Sequence, residues 1–284
     1  MSERTPESQP ASVLRWRGGT AESVADELAR EEPLEIRVDG RPVSVTMRTP
    51  GNDEELAVGF LLGEALIAGR DDVRDVRPLE KERECNTVDV RLRPGLAIDF
   101  ERLRRNVYAS SSCGLCGKTT IAAVRQTFPP VTGGLRVDAG LLAALPARLR
   151  AAQATFERTG GLHAAAVFTA EGELLVVRED VGRHNAVDKA LGWGLLAGPG
   201  AFAEHVLLVS GRSSFEIMQK ALAGRLPIVA AVSAPSSLAV QFAQESGQTL
   251  VGFLRDGGMN VYAGAERVAL PDRTEDRTLD RTSE

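Results

Sequence analysis

The sequence is poor in the residues that mark secreted and membrane proteins. Its 284 residues include three cysteines, three histidines and only 5% aromatic residues. Three cysteines cannot build the disulfide framework of a small secreted domain. No run of about 18 apolar residues occurs, and residues 1–10 lack the apolar core of a signal peptide. We therefore expect a cytoplasmic protein that does not enter a membrane.

The net charge is weakly negative. Lysine and arginine number 34 against 39 aspartates and glutamates, which gives a net charge of -5 and a pI near 5.5. General nucleic-acid binding calls for a basic surface, so this balance argues against a nucleic-acid partner. With 43% hydrophobic residues, the chain is long enough for one large domain or two modest ones.

Two of the cysteines, Cys113 and Cys116, form a CxxC turn that follows a serine run and precedes Lys118. Two thiols this close can hold a metal, form a disulfide or carry sulfur as a persulfide. An inert thiol pair is disfavoured because the segment has little apolar mass. A structural zinc site needs four ligands. The other candidate ligands are scattered and contain no closely spaced pair: Cys85, His163, His184 and His205. We therefore expect no bound metal.

The first half of the chain is predicted to form a small α+β domain over residues 11–125 that ends in the CxxC loop. Residues 34–47 alternate with period two around Asp39-Gly40, which predicts a hairpin. Asn52 precedes three acidic residues and predicts a helix start, and residues 87–93 predict another strand.

The second half is predicted to form a larger domain over residues 126–268. A helix from Asp138 to Phe156 is expected to be interrupted at Pro146. Short apolar strands and helices then alternate, which predicts a largely parallel sheet covered on both faces. The strands are 163–168, 173–178, 205–209, 227–232 and 249–254, and the helices are 185–196, 213–223 and 236–246. Residues 1–10 and 269–284 are polar and predict disorder.

Four loops follow these strands, at residues 178–185, 210–214, 233–237 and 255–258, and we call them the carboxyl rim. In a parallel sheet they share the edge where ligands bind. Serine and asparagine start helices whose free amides suit phosphate oxygens. Four arginines add forked cationic donors: Arg178, Arg183, Arg212 and Arg255. Any one loop alone would be an ordinary helix start, but their convergence predicts a site for a nucleotide-like anion with a pyrophosphate.

Two histidines accompany these loops, and each has two interpretations. His184 lies beside an acidic pair and is either a proton carrier or a structural hydrogen-bond partner. His163 opens a strand after Gly160-Gly161 and is either a site residue or a core histidine.

Five segments together resemble the FdhD family of formate dehydrogenase accessory sulfurtransferases. These segments are residues 111–118, 160–165, 179–189, 210–216 and 233–237. They come in the family's order and span most of residues 34–262. A lone CxxC would be unspecific, whereas the ordered set is highly specific.

The resemblance implies a sulfur carrier. Family members accept sulfur from a cysteine desulfurase and pass it to the molybdenum cofactor, bis(molybdopterin guanine dinucleotide), which then enters formate dehydrogenase. The persulfide cysteine matches Cys113, with Cys116 as its neighbour. The resemblance also implies a homodimer and a cytidine-deaminase-like α/β/α fold for the larger domain.

The expected cofactor site includes a segment near the C-terminus and part of the carboxyl rim. The segment is Phe253, Leu254, Arg255, Asp256, Gly257 and Gly258, and the rim residues are Arg183, His184, Arg212 and Ser213. Many relatives carry a basic residue where Gly258 stands. A guanine nucleotide alone is a further expected ligand, since the cofactor carries guanine nucleotide arms.

Three other functions were weighed against the residues: a zinc deaminase, a thiol oxidoreductase and a cofactor chaperone. A zinc deaminase needs His-x-Glu followed by Pro-Cys-x-x-Cys, but here Ala165 occupies the glutamate position and the CxxC precedes His163. Deamination is therefore disfavoured. A thiol oxidoreductase and a chaperone that holds the cofactor without chemistry remain open. So does the role of Cys116, which can resolve, relay or protect the sulfur on Cys113.

Overall fold

The structure is a computed structural model that describes residues 7–79, 86–96, 98 and 128–271. The CxxC turn with Cys113 and Cys116, and Cys85, lie outside the described residues.

The chain begins with a long antiparallel hairpin of β1 (Ser8–Arg17) and β2 (Thr20–Ala29). Its two-residue turn, Gly18-Gly19, has φ angles of 57° and 86°, which glycine adopts without strain. Sequence reasoning missed this hairpin. Residues 8–10, which were predicted to be disordered, are the first residues of β1.

A four-stranded sheet follows, in the order β4-β3-β6-β5. Its strands are β3 (Glu32–Val38), β4 (Arg41–Arg48), β5 (Val73–Pro78) and β6 (Thr87–Leu92). The predicted hairpin is confirmed as β3–β4, and the predicted strand at 87–93 is β6. Helix α1 (Asp53–Gly63) begins where predicted, but Asn52 makes no side-chain cap because its backbone is left-handed, with φ 57°.

The larger sheet has the order β13-β12-β11-β10-β8-β9. Its strands are β8 (His163–Thr169), β9 (Leu174–Asp180), β10 (His205–Val209), β11 (Ile228–Ala231), β12 (Thr249–Arg255) and β13 (Gly258–Ala263). A short parallel pair joins β7 (Val137–Asp138) to β14 (Val268–Ala269). The predicted strands are confirmed. The predicted largely parallel sheet is wrong, since β10–β11 and β11–β12 are parallel while the other three pairings described are antiparallel.

The helices lie close to their predicted positions, and among those described none is long and apolar enough to span a membrane. They are α2 (Ala139–Ala152), α3 (Ala154–Thr159), α4 (Arg183–Leu196), α5 (Phe215–Ala223) and α6 (Ser237–Ser246).

The predicted interruption of the first of these helices at Pro146 is wrong. Helix α2 continues through Pro146 to Ala152, and Gln153 is its C-cap. A new helix starts there because the Glu179 carboxylate accepts the backbone N–H groups of Thr155 and Phe156, at 2.9 and 2.8 Å.

The larger sheet is covered on both faces, as predicted. Alternate residues of β8 belong to two hydrophobic clusters, with Val167 in the first and Phe168 in the second. Helices α4, α5 and α6 cover the first face, and α2 covers the second. The first cluster also includes Ile36 of β3 and Leu56 of α1, so both halves of the chain share one core.

Helices α1 and α4 touch through their backbones. A Cβ added to Gly59 would lie 1.8 Å from the Asp188 carbonyl oxygen, and one added to Gly192 would lie 1.8 Å from the Glu55 carbonyl oxygen. Glycine at both positions therefore permits the close approach that joins the small sheet to the larger one.

Candidate functional site

The four loops of the carboxyl rim meet at one edge of the larger sheet. Strands β10, β11 and β12 are parallel. Strand β8 runs antiparallel to both of its neighbours, β9 and β10, so β9 points the same way as β10. The predicted convergence is therefore correct, although the sheet is mixed. Because β8 is reversed, its first residue, His163, also lies at this edge.

Two helix starts at the carboxyl rim are capped by serine as the sequence predicts, whereas the predicted start at Asn185 is wrong, since α4 begins after Gly182 without a side-chain cap and contains Asn185. The Ser214 hydroxyl accepts the Ile217 N–H at the start of α5, and the Ser236 hydroxyl accepts the Ala239 N–H at the start of α6. The Ser236 N–H donates to the Ser213 carbonyl oxygen at 3.0 Å, which joins the two loops. The positive ends of the α5 and α6 dipoles are thus fixed at the rim, where they favour an anion.

Several polar groups of the carboxyl rim have no partner within the described part of the chain. Arg183 and Arg212 make no ion pair there, and the buried Nε of Arg183 makes no hydrogen bond. The Ser213 side chain is fully buried, yet its hydroxyl oxygen also makes none. Buried polar groups are normally satisfied, so the Arg183 Nε and the Ser213 hydroxyl fit an anionic ligand. Arg212 is exposed, so solvent satisfies its guanidinium in the free protein.

Arg178 differs from the other predicted rim arginines. It lies within β9, and its guanidinium donates to both carboxylate oxygens of Glu55 on α1, at 2.5 and 2.7 Å. The prediction that Arg178 is a rim donor is wrong, since this bidentate pair uses its forked face. Arg255 is exposed, 5.6 Å from the centre of the Phe253 ring.

The segment 253–258 is the end of β12 and its turn into β13. Phe253 has a left-handed backbone, with φ 50°, and its N–H donates to the Ser233 carbonyl oxygen at 3.1 Å. Asp256 and Gly257 form the turn, with φ angles of 53° and 73°, and Gly258 pairs with Arg255. Leu254 is fully buried in the second hydrophobic cluster. Its side chain therefore packs in the core and does not face a ligand as predicted.

His184 connects two helix starts. Its Nε2 lies 3.3 Å from the Ser214 hydroxyl and 3.2 Å from a carboxylate oxygen of Glu216. In a nucleophilic triad the serine and the acid contact opposite ring nitrogens, whereas here both contact Nε2. This geometry favours the structural interpretation of His184, which holds α4 against α5.

His163 lies at the rim and is half-buried. Burial of the ring, and then the nearby charge of Arg183, lowers the pKa of His163 below its ordinary value. A Cβ added to Gly211 would lie 3.4 Å from His163 Nδ1 and 3.8 Å from Arg183 Cδ. The structure therefore presents a neutral imidazole and a cation at one glycine-lined position.

An open cleft of about 570 Å³ lies beside the carboxyl rim, on the face of the sheet that α2 covers. This volume is in the range of small-molecule sites. Its lining includes Arg150, Gln153, Phe156, His163, Ser210 and Val232. Sequence reasoning missed Arg150, Gln153 and Phe156, because nothing in the pattern of residues 139–159 distinguishes them from a solvated helix surface.

Asp180 fixes the first loop of the carboxyl rim. Its carboxylate accepts the Gly182 N–H at 2.8 Å and the Asn185 side-chain amide at 3.0 Å. It also accepts the Thr49 N–H at 3.1 Å and pairs with Lys189 at 2.7 Å. One buried carboxylate therefore joins the rim to the segment between β4 and α1.

Among the described residues, no group of three or more His, Cys, Asp or Glu side chains is placed to hold a metal ion. The expected absence of metal depends on cysteines outside that part of the chain and stays a prediction.

The comparisons with known proteins agree with the motifs. The sequence model of the FdhD/NarQ family matches residues 29–269. The chain is 53% identical over 270 residues to the sulfur carrier protein FdhD of Streptomyces avermitilis, covering 91% of this chain and 94% of that protein. It is 52% identical over 251 residues to the protein of that name from Mycobacterium tuberculosis, covering 85% and 91%.

A solved structure shares the fold. A protein described as a formate dehydrogenase accessory protein, from Desulfotalea psychrophila, superposes with a TM-score of 0.76 at 25% identity, covering 93% of this chain and 100% of the other. A family match over most of the chain, together with relatives more than half identical over nearly their full length, leaves one assignment: the chain belongs to the FdhD/NarQ family.

Proposed function

We propose that this protein is a sulfur carrier for formate dehydrogenase. It accepts sulfur from a cysteine desulfurase as a persulfide on Cys113. It then transfers that sulfur to the molybdenum of bis(molybdopterin guanine dinucleotide), before this substrate enters formate dehydrogenase. Family membership supports the sulfur-transfer role, since relatives are named sulfur carrier proteins.

The observation that carries the substrate assignment is the set of unpartnered donors at the carboxyl rim. The Arg183 Nε and the buried Ser213 hydroxyl make no hydrogen bond in the described residues, the neighbouring Arg212 is exposed, and all three lie beside the starts of α4 and α5. Together they suit the phosphate oxygens of a nucleotide arm.

The chemistry at the cysteines follows from the thiolate as nucleophile. The Cys113 thiolate attacks the outer sulfur of the desulfurase persulfide, forms a new S–S bond and releases the desulfurase cysteine as a thiolate. Delivery of that sulfur as sulfide takes two electrons. Oxidation of the Cys113–Cys116 pair to a disulfide supplies them.

The decisive experiment is sulfur loading. The purified protein is incubated with a cysteine desulfurase and cysteine, and its mass is measured. We expect the mass of one added sulfur atom in the wild type and in Cys85→Ser, and none in Cys113→Ser, because a serine hydroxyl cannot hold sulfane sulfur. Full loading of Cys113→Ser would exclude Cys113 as the carrier.

Two alternatives give different outcomes in the same preparation. A chaperone would bind the cofactor and acquire no sulfane sulfur. A metal site would show about one zinc per chain by elemental analysis, lost in Cys113→Ser, since zinc needs the thiolate ligand. The homodimer and the cytoplasmic location belong to the same proposal, and sedimentation of the purified protein tests the first.

A further inference from the structure

The hairpin of β1 and β2 separates its charged residues from its uncharged ones. Directly opposed residues share a face, and the pairing runs in one register from Ser8 opposite Ala29 to Arg17 opposite Thr20. Four of the five ionisable residues in the two strands lie on one face: Arg15, Arg17, Glu22 and Asp26. Beyond its base the other face has no ionisable side chain, and we call it the arm face. It consists of Pro10, Ser12, Leu14, Trp16, Ala21, Ser23 and Ala25.

The base of this face packs against α3 and the segment before β8. The fifth ionisable residue, Glu27, accepts a hydrogen bond from Arg158 Nε at 3.0 Å, and a second nitrogen of Arg158 donates to the Ser8 hydroxyl at 3.4 Å. A Cβ added to Gly161 would lie 3.3 Å from Ala29 Cβ. Because Gly161 also lines the cleft beside the carboxyl rim, the base of the hairpin borders that cleft.

The arm face is uncovered in the part of the chain that the structure describes. All seven of its residues are exposed, including Leu14 at 74% and Trp16 at 70%. Within the described ranges β1 and β2 pair only with each other, and a lone two-stranded hairpin is only marginally stable in water. Exposed apolar side chains on such an element are typical of a contact surface, and tryptophan is among the residues that most often contribute binding energy. The arm face therefore has the composition of a docking surface.

The size of the arm face limits the kind of partner. The eight residues from Pro10 to Arg17, at about 3.4 Å each, make a strip about 27 Å long, and two strands make it about 10 Å wide. A strip of this size buries less than the roughly 1,200 Å² that a stable complex needs. Permanent association of two copies through this face alone is therefore disfavoured, and a partner that binds transiently is favoured.

The position of the arm face identifies that partner. A protein seated on it lies next to α3 and the cleft beside the carboxyl rim. The proposed function requires two partner proteins: the sulfur donor must reach Cys113, whereas the acceptor must take the ligand from the rim. We propose that the arm face docks the acceptor, cofactor-free formate dehydrogenase, while the ligand leaves the rim. The identity of the partner rests on the proposed function, whereas the docking surface follows from the hairpin itself.

Hydrogen exchange of the unmodified full chain tests the surface without a substitution. Adding purified cofactor-free formate dehydrogenase should slow the exchange of backbone amides in residues 8–29, because a bound partner opposes local opening of the hairpin. Adding purified cysteine desulfurase should leave exchange there unchanged. Protection by the desulfurase instead of formate dehydrogenase, or by neither protein, would overturn the proposal.

Substitutions then test the side chains. Combining Leu14→Thr with Trp16→Thr removes the large apolar groups and keeps residues that favour strands. This double variant should bind immobilised cofactor-free formate dehydrogenase about tenfold to a hundredfold more weakly, as expected when a buried tryptophan contact is lost. Trp16→Phe, which keeps an aromatic ring, should retain most of the affinity. Val45→Thr is the matched control, since Val45 is an apolar residue of β4 that is 59% exposed, and it should bind like the wild type.

Two further measurements separate the alternatives. Unchanged affinity for formate dehydrogenase in the double variant, together with a lighter sedimenting species, would assign the arm face to a second copy of the chain and overturn the proposal. Sulfur loading of Cys113 should be the same in the double variant and the wild type. A wild type that fails to load sulfur but binds formate dehydrogenase through residues 8–29 keeps the docking surface and removes the sulfur carrier. A protein that loads sulfur but whose hairpin gains no protection keeps the carrier and removes the docking surface.

Discussion

Asp180 and Lys189 form an ion pair at 2.7 Å in which the two side chains are 0% and 2% exposed. Lys189 also donates to the Thr49 carbonyl oxygen at 2.8 Å, and Asp180 accepts the Thr49 N–H. Both side chains of the pair therefore hydrogen-bond to the backbone of Thr49, in the first half of the chain. The position of the rim loop at 178–185 depends on a contact more than a hundred residues away in the sequence.

Removing one partner of this ion pair should strongly destabilise the folded protein. Asp180→Ala leaves the Lys189 ammonium buried without its carboxylate, and we expect a loss of about 3–5 kcal/mol in the free energy of unfolding. Denaturant titration measures it. Asp26→Ala is the matched control, because Asp26 pairs with Arg15 at 3.9 Å on the surface and should change stability by less than about 1 kcal/mol. Similar losses in both variants would contradict the role of burial.

Gly59→Ala tests the contact between α1 and α4. Alanine at an exposed helix position would stabilise by about 1 kcal/mol, but here its Cβ would collide with the Asp188 backbone. We expect a net loss of at least about 1–3 kcal/mol. Gly134→Ala, where a Cβ meets nothing within 4 Å, should be nearly neutral. Thermal unfolding of each variant measures the change in stability. A stabilised Gly59→Ala protein would contradict the close contact, since it would show that α1 and α4 can move apart.

The protonation of His163 reports on the carboxyl rim. Burial and the Arg183 charge both disfavour the imidazolium, so the pKa of His163 lies below the ordinary 6.5. Proton transfer to this ring is therefore completed only at a pH lower than usual. Arg183→Ala should raise that pKa, because one like charge is removed while the burial remains. NMR titration of the three histidines measures the shift, and an unchanged pKa in the variant would mean that the Arg183 charge is screened from the ring.

The rim arginines should bind phosphate. We expect Arg183→Ala or Arg212→Ala to weaken GDP binding by about tenfold to a hundredfold, as each removes a charged hydrogen bond worth about 1.5–3 kcal/mol. Arg74→Ala, at an exposed arginine of β5, controls for net charge. If all three variants bind GDP equally, Arg183 and Arg212 are ordinary surface charges.

Local patterns predicted the elements of the larger domain well. Strands such as β10 are short apolar runs, and Ser214 and Ser236 start helices by capping, so both signals lie within a few residues of the structure they specify. The position of the carboxyl rim could be predicted from these local signals. The direction of β8 could not be predicted, because strand order and orientation depend on packing between distant segments.

Other features were missed for identifiable reasons. The strands β1 and β2 contain alanine, glutamate and serine rather than a clear apolar alternation, and only Gly18-Gly19 signals their turn. The Arg178–Glu55 pair joins residues far apart in the chain. The break at Gln153 is set by Glu179 from a neighbouring strand, whereas Pro146 gave a stronger but misleading local signal.

The core shared by Ile36, Leu56 and the larger sheet has a thermodynamic consequence. Elements with one continuous core unfold together, so a ligand that binds only the folded rim stabilises the small sheet as much as the large one. At a concentration one hundred times its dissociation constant, such a ligand adds about 2.7 kcal/mol to the free energy of unfolding of the whole chain. Binding of such a ligand at the carboxyl rim would thereby protect regions that never touch the ligand from proteolysis.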